Sequence, residues 1–595
     1  MSTSRALMFL PLAAALLFHA CSTPAPGISE ADARFEALAT SFIEQYLVQQ
    51  PEDATMLGDH RFDARLNDLS AEGIASAVRL RSATLDSLAT IKVEQLSPEN
   101  RVDYDILHHN LRADLFMLDT LRAWKSNPLF YNPGNAVFSL IARDFAPLAE
   151  RMRNVEARLA AIPAYLAAAR ANLETPPALH TETAIRQNDG TIGLLTGTLQ
   201  PFIDSLPAAQ RASVAAARDT AVAALRAHGT WLRVDLLPRS TGDYRVGEVL
   251  YRAKLRYTIV TDMTPEQILQ RAEADLESTT RALAQTAAEL HQHLFPNIPL
   301  PDESEKGRAQ LIRRVLDRLA EQRPTNETIV ADARRTLEEA TTFVREHNLV
   351  TIPSDPLDII VMPEFQRGVA VAYCDSPGPL EKNGRTFYAI APTPADWSRE
   401  RTESFYREYN AYMLKNLTVH EAMPGHYLQL MTGNRFQART LVRGIFPSGI
   451  FAEGWATYVE AMMVETGFGG PEVRMQQLKM RLRLIINAML DQGVHMRGMS
   501  ERDGMRLMME RGFQEEGEAS GKWKRACLTS AQLSTYYVGN TLMTDLRARA
   551  EAAGNFNLRE YHDRVISFGT ISPTYLPMLL KLSAGGSGTA VSTSN

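Results

Sequence analysis

Three residues in one short segment could do metal chemistry. Thr418 to Leu430 reads TVHEAMPGHYLQL and places His420, Glu421 and His426 near one another. Neutral imidazoles bind divalent transition metals, and a neighbouring carboxylate can take a proton from a water on the metal. Residues four apart on an α-helix share a face, so two histidines at that spacing meet a metal readily. Here the spacing is six, which at about 100° per residue turns the second ring roughly 240° from the first on a straight helix. Pro424 and Gly425 lie where the extra residues must be absorbed. Proline removes the N–H that would bond the His420 carbonyl, and glycine permits backbone angles that other residues avoid. Together they could bulge the helix by two residues and bring His426 back beside His420. The alternative leaves His426 as a helix end and His420 as a buried core histidine.

The segment resembles the H-E-x-x-H motif of zinc peptidases at a longer spacing. Phe451 to Met462 (FAEGWATYVEAM) is helical by pattern and resembles the N-E-G-F-A-x-Y-x-E helix of gluzincin aminopeptidases. That likeness implies Glu453 as a third zinc ligand. Two histidines, one carboxylate and an open fourth position are the ligands of a hydrolytic site, not of a closed structural one. Glu460, two turns further on the same face, could orient a metal-bound histidine, or it is a solvated carboxylate. The mature chain as a whole is similar to the bacterial envelope family called domain of unknown function 885, marked by H-E-x-x-P-G-H followed by E-G-W-A. Further matches are PEDATMLGDHRFDARLNDLS near the N-terminus, LDQGVHMRGMS (Leu490 to Ser500) and QLSTYYVG (Gln532 to Gly539), with coverage from about Glu30 to Leu582.

This resemblance implies a mainly α, gluzincin-like fold akin to neurolysin and the thermostable carboxypeptidases, with one zinc ion in a deep channel. It also implies His495 and Tyr536 as donors to the oxyanion of a tetrahedral intermediate. Helix spacing sets Asp491 four residues before His495, where it could fix the imidazole tautomer. The chain departs from the family pattern at Ser534 and Thr535, where Leu and Ser are usual, at Met499, often Trp, and in the Tyr536-Tyr537 pair, where the spacing to Gly539 favours Tyr536. The function expected is a zinc metallopeptidase acting on peptides, with Glu421 as general base and then general acid. The rival is a non-catalytic metal- or peptide-binding envelope lipoprotein. A di-iron carboxylate protein would need Glu-x-x-His motifs on paired helices, and no such pair occurs.

The elements that must position these residues are mostly helices. Residues 30–347 read as a helical scaffold, with apolar positions recurring at three or four and with Thr264, Pro265 and Glu266 opening a helix. Residues 348–582 read as the catalytic part. Within it DIIVMPEF, VAVAYC and RTFYAIAP are short strands by composition. RTFYAIAP, close before the metal helix, is expected to be an edge strand to which a peptide main chain adds, or else a structural hairpin. Residues 583–595 have the composition of a disordered tail.

The N-terminus speaks to location. Arg5, the apolar run Ala6 to Phe18 and a small residue before Cys21 form a secretory signal over residues 1–20, with residues 21–29 as a tether. Cys21 is then the lipidation site of a periplasmic or outer-membrane lipoprotein, the alternative being a soluble periplasmic or secreted protein. The apolar run is too short to span a bilayer. Cys374 and Cys527 read as buried thiols. With Lys+Arg 63 against Asp+Glu 69 the chain has no electrostatic footprint for nucleic acid. A peptide substrate is the expected partner; no protein partner is expected, and contact with a membrane is expected only through the lipid anchor.

Overall fold

Helix follows helix from Glu30 to Glu346 and again from Arg399 to Leu579, as the apolar spacing of both stretches requires. The computed structural model describes residues 29–362, 371–381, 384–394, 397–436 and 438–582; the expected signal, Cys21 and the C-terminal tail lie outside them. The helices that build and brace the site are numbered in chain order: α1 (Glu30–Gln49), α2 (Pro98–Leu115), α3 (Pro265–Leu294), α4 (Ala411–Glu421), α5 (His426–Gly433), α6 (Gly449–Glu465), α7 (Gly470–Arg497), α8 (Glu516–Leu528) and α9 (Ser534–Ala552). Their ends follow local chemistry. Thr264 and Gln267 cap each other's backbone N–H at the start of α3, with Pro265 in the first turn. Asn410 accepts from the N–H groups of Tyr412 and Met413 at the start of α4.

Between the two helical stretches lies one three-stranded sheet. Strands β1 (Leu357–Val361), β2 (Ala372–Asp375) and β3 (Thr386–Ile390) form at the three segments expected from composition. Their order is β1-β3-β2, with β1 parallel and β2 antiparallel to β3. This corrects the expectation for RTFYAIAP. That segment is the middle strand, with Leu357 opposite Thr386 on one side and Asp375 opposite Phe387 on the other, so both of its backbone edges are already paired and no peptide can add there. The sheet packs Ile359, Tyr388 and Ile390 against Met413, Leu414 and Leu417 of α4, and the hydroxyls of Tyr388 and Thr418 are 3.2 Å apart.

The two largest apolar cores run across the boundary between residues 347 and 348. In one, Phe35 and Phe42 of α1 and Val102 and Leu107 of α2 pack with Val419, Leu428, Phe451 and Trp455. In the other, Leu276 and Leu283 of α3 pack with Leu482 and Ile485 of α7, Trp523 of α8 and Val538 of α9. A third core lies within the N-terminal half, among residues such as Leu159, Ile162 and Leu225. Polar contacts cross the same boundary. His60 of the N-terminal motif lies 2.9 Å from Asp63 and 3.0 Å from Glu381, just beyond β2. Arg443 and Asp103, both buried, form an ion pair in which Arg443 also donates to the carbonyls of Phe568 and Glu99, and Thr440 donates to Asp103.

A buried pair of this kind leaves an uncompensated charge when one side is removed. Arg443→Met is expected to lower stability by about 3–5 kcal/mol. The Asp103→Asn/Arg443→Met double variant should lose less than the two single losses combined, as read from denaturant unfolding.

Candidate metal centre

The backbone between the two histidines is a break, where the sequence suggested a bulge in a continuous helix. α4 ends at Glu421, the chain turns through Ala422 (φ −123°, ψ −85°) to Gly425 (φ −78°, ψ −129°), and α5 begins at His426 itself. The Met423–Pro424 peptide is cis. Residue 425 must be glycine for a steric reason: a Cβ there would lie 1.9 Å from the carbonyl oxygen of His420 and 2.3 Å from that of Val419. The turn is held from α6, where the buried Trp455 donates from Nε1 to the Pro424 carbonyl at 2.9 Å. The two motifs, H-E-x-x-P-G-H and E-G-W-A, are therefore two sides of one contact.

This turn brings the His420 and His426 rings together, with centroids 4.7 Å apart and planes at 87°. Glu453 Oε2 lies 3.6 Å from His420 Nε2 and 3.7 Å from His426 Nε2, and that buried oxygen has no hydrogen-bond partner. Ligands about 2.1 Å from one tetrahedral ion stand about 3.4 Å apart. The three atoms are thus too far apart to satisfy one another and spaced to share a cation, and among the described residues they form the one His/Cys/Asp/Glu cluster so arranged. Behind them Glu460 is buried and lies 2.6 Å from His420 Nδ1, which turns Nε2 toward the cluster. Asn416 donates to the other Glu460 oxygen at 2.7 Å. Glu460 is thus no solvated carboxylate: it is buried and holds the His420 ring.

Electrostatics of the cluster follow from burial and proximity. Burial pushes the Glu453 carboxyl up, but the contacts and positive charge of His420 and His426 outweigh it and hold the group well below the usual carboxylate range. Burial works against a charged His420, yet Glu453 and Glu460 raise its pKa well above the ordinary value. Glu421 behaves differently: burial raises its pKa, partly offset by the charges of His420 and His426 and by the N–H of Cys374, which hydrogen-bonds its carboxylate. The strand beside the site is therefore β2. Cys374 on it is only partly buried, whereas Cys527 is buried as expected. An edge strand leaves one flank of Cys374 uncovered, and desolvation with the charges of Glu421 and Asp375 raises the thiol far above its usual pKa.

α6 and α9 cross at Gly454 and Gly539. A Cβ on Gly454 would meet the carbonyl carbon of Gly539 at 2.7 Å, and one on Gly539 would meet the carbonyl oxygen of Ile450 at 2.4 Å. This approach sets Tyr536, one turn before Gly539, beside Glu453, whose charge helps raise the phenol pKa after burial. Tyr537 faces away and donates to Asp275 at 2.8 Å, so of the pair it is Tyr536 whose phenol feels the Glu453 charge.

His495 and Asp491 have a role other than the one expected of them. The Nε2 atom of His495 lies 2.9 and 2.7 Å from the carbonyls of Ala526 and Thr529, at the end of α8. Asp491 accepts from the N–H groups of Ala531 and Ser534 and from the Ser534 hydroxyl, at the start of α9, and shares no hydrogen bond with His495. One α7 face thus caps the end of one helix and the beginning of the next, the use that buried carboxylates and imidazoles find at helix termini. His495 is a brace of the α8–α9 turn in this structure, not an oxyanion donor.

A mainly helical protein with a His-His-Glu cluster between broken and crossing helices is the class that fold and site define. The chain belongs to the family described as "Bacterial protein of unknown function (DUF885)", whose model matches residues 51–580. It is similar to a solved structure of a presumed lipoprotein of unknown function from Shewanella oneidensis, at 32% identity and TM-score 0.78 over 92% of this chain and 99% of that one. A presumed lipoprotein from Colwellia psychrerythraea has the same fold, at 17% identity and TM-score 0.77 over 93% and 99% of the two chains. No curated protein matches the chain in sequence. Among the described residues no helix is long and apolar enough to cross a membrane.

Because the turn depends on a hydrogen at position 425, Gly425→Ala is expected to cost about 1–3 kcal/mol through overpacking. Gly449→Ala, at a helix start with nothing within 4 Å of the added methyl, should leave the unfolding midpoint unchanged or slightly raised.

Proposed function

We propose that the protein is a zinc-dependent metallopeptidase that hydrolyses peptides in the cell envelope, with His420, His426 and Glu453 as metal ligands. The observation that carries this reading is the spacing of three ligand atoms around a point that Glu421 adjoins. Zinc held there would polarise the scissile carbonyl and make a water acidic enough to attack at neutral pH. The chain's own residues supply the proton transfers. Glu421, raised by burial but moderated by two imidazoles, is suited to take the proton of the attacking water and hand it to the leaving amine. Cys374 fixes this carboxylate through its backbone N–H. Glu460 and Asn416 keep His420 in the tautomer that presents Nε2.

Tyr536 is the donor for the oxyanion. Burial and Glu453 keep the phenol protonated, and Arg525 donates to its oxygen at 3.1 Å, so its own hydrogen remains for the developing negative charge. Location rests on the signal-like N-terminus ending at Cys21 and on the likeness to presumed lipoproteins.

Two measurements test the reading. Protein purified without chelator should carry one zinc per chain by atomic emission. Glu421→Gln should keep the zinc and lose peptide hydrolysis by about 10²–10⁴-fold, and undiminished hydrolysis in that variant would sink the mechanism. For location, Cys21→Ala should move the protein from the membrane fraction to the soluble fraction of cells; an unchanged distribution would rule out the lipid tether.

A further inference from the structure

Beyond Tyr536 stands a row of cations of which only Arg525 touches the hydrolytic machinery, through the Tyr536 oxygen. Arg525, in the last turn of α8, donates from Nη2 to Tyr536 at 3.1 Å and to Gln532 at 3.0 Å, and its guanidinium lies 5.8 Å from the centre of the Tyr536 ring. Among the described residues it has no carboxylate partner, although it is partly buried. Lys522, one turn earlier, has a side chain only 11% exposed and lies 3.9 Å from Glu518. That carboxylate is already engaged: it is ion-paired with Arg483 and accepts from the Tyr409 hydroxyl at 3.1 Å. Arg483 also lies 3.7 Å from Glu408, which pairs with Lys479 at 2.8 Å. Three cations, Arg483, Lys479 and Lys522, thus share Glu408 and Glu518, and Arg525 stands beside them with neither.

Desolvation lowers the Lys522 pKa to about 7, with Glu518 and Glu453 opposing it and Arg483 and Arg525 adding to it. Positive charge held in a confined, partly dry place with too few counter-charges favours an anionic ligand. A planar guanidinium next to an ammonium suits a carboxylate, which the first can grip with two parallel hydrogen bonds. The row is rigidly placed, since His495 and Asp491 pin both ends of the turn between α8 and α9.

We propose that Arg525 and Lys522 bind the free α-carboxylate at the C-terminal end of a peptide, so that cleavage is counted from that end. This assignment rests on the peptidase reading above and names its substrate class.

The test uses zinc-loaded full-length protein carrying Glu421→Gln, so that binding is measured without turnover, together with hydrolysis by the wild type. The probes are an acetylated tripeptide as free acid, the same tripeptide as C-terminal amide, and an amidated tripeptide ending in glutamate. By calorimetry the free acid should bind at least tenfold more tightly than the amide. The preference should fall to near unity in Lys522→Gln and in Arg525→Gln, while circular dichroism and zinc content stay unchanged. Equal binding of acid and amide overturns the subsite, and if the wild type still cleaves both, the peptidase reading survives alone. A preference for the acid that Lys522→Gln and Arg525→Gln abolish, with no hydrolysis of any probe by the wild type, upholds the carboxylate site and removes the peptidase reading. Binding of the glutamate-ending amide as tight as that of the free acid overturns the chain-end assignment, because a side-chain carboxylate then suffices.

Discussion

The hydrogen bond from Trp455 to the Pro424 carbonyl joins the two halves of the His-His-Glu cluster. One partner belongs to the turn that sets His420 beside His426, and the other to the helix that carries Glu453. With Trp455 fully buried, the indole N–H and the carbonyl it meets would each be left unsatisfied away from water if the turn shifted, at a cost of about 1–3 kcal/mol per group. The turn and the Glu453 helix are therefore fixed relative to each other as one unit. Glycine at 425 lets the His420 carbonyl sit against the returning chain, and glycines at 454 and 539 let a second helix close on the first. Three positions without side chains thus govern where His420, His426 and Glu453 end up.

Around this unit stands a second set of contacts that handles backbone ends. α7 offers a carboxylate to the start of α9 and an imidazole to the end of α8. Helix ends are where backbone groups lack partners, and supplying those partners from a third helix fixes the turn between them as firmly as packing would. Tyr536 and Arg525 inherit their positions from that turn. The same logic applies to Glu460, whose two oxygens serve His420 and Asn416: a buried carboxylate stays ordered when both oxygens are used.

Much of this was legible in the residues. The apolar repeats announced helices, Val-, Ile- and Tyr-rich segments announced the three strands, and His420, His426, Glu453 and Glu460 could be assigned to one cluster from motif and helix spacing. What could not be read was anything decided by which face meets which neighbour. β3 looks like an edge strand until its two partners are known, because pairing order is set by the packing of the sheet on α4 and not by the strand's own composition. Asp491 and His495 share a helix face by their spacing, but spacing is silent on whether that face meets substrate or the backbone of another turn. Lys522 and Arg525, in the run KWKR, look like ordinary solvated charges of an amphipathic helix. Only the crossing of α6 and α9 shows that they stand on the side of the His-His-Glu cluster.

The cores that cross the middle of the chain constrain how the molecule is made. The core built between Leu69 and Leu236 draws only on its own stretch of sequence and can close early. The apolar faces of α1 and α2 cannot, because their partners, Val419, Trp455 and Ile571 among them, emerge in the last third of the polypeptide. Long sequence separation of this kind slows folding and leaves apolar surface open in the meantime. A chain made N-terminus first thus passes through a stage with one finished core and others still waiting. His420, His426 and Glu453 are carried on helices that belong to the waiting cores, so they come together only once the whole polypeptide is present.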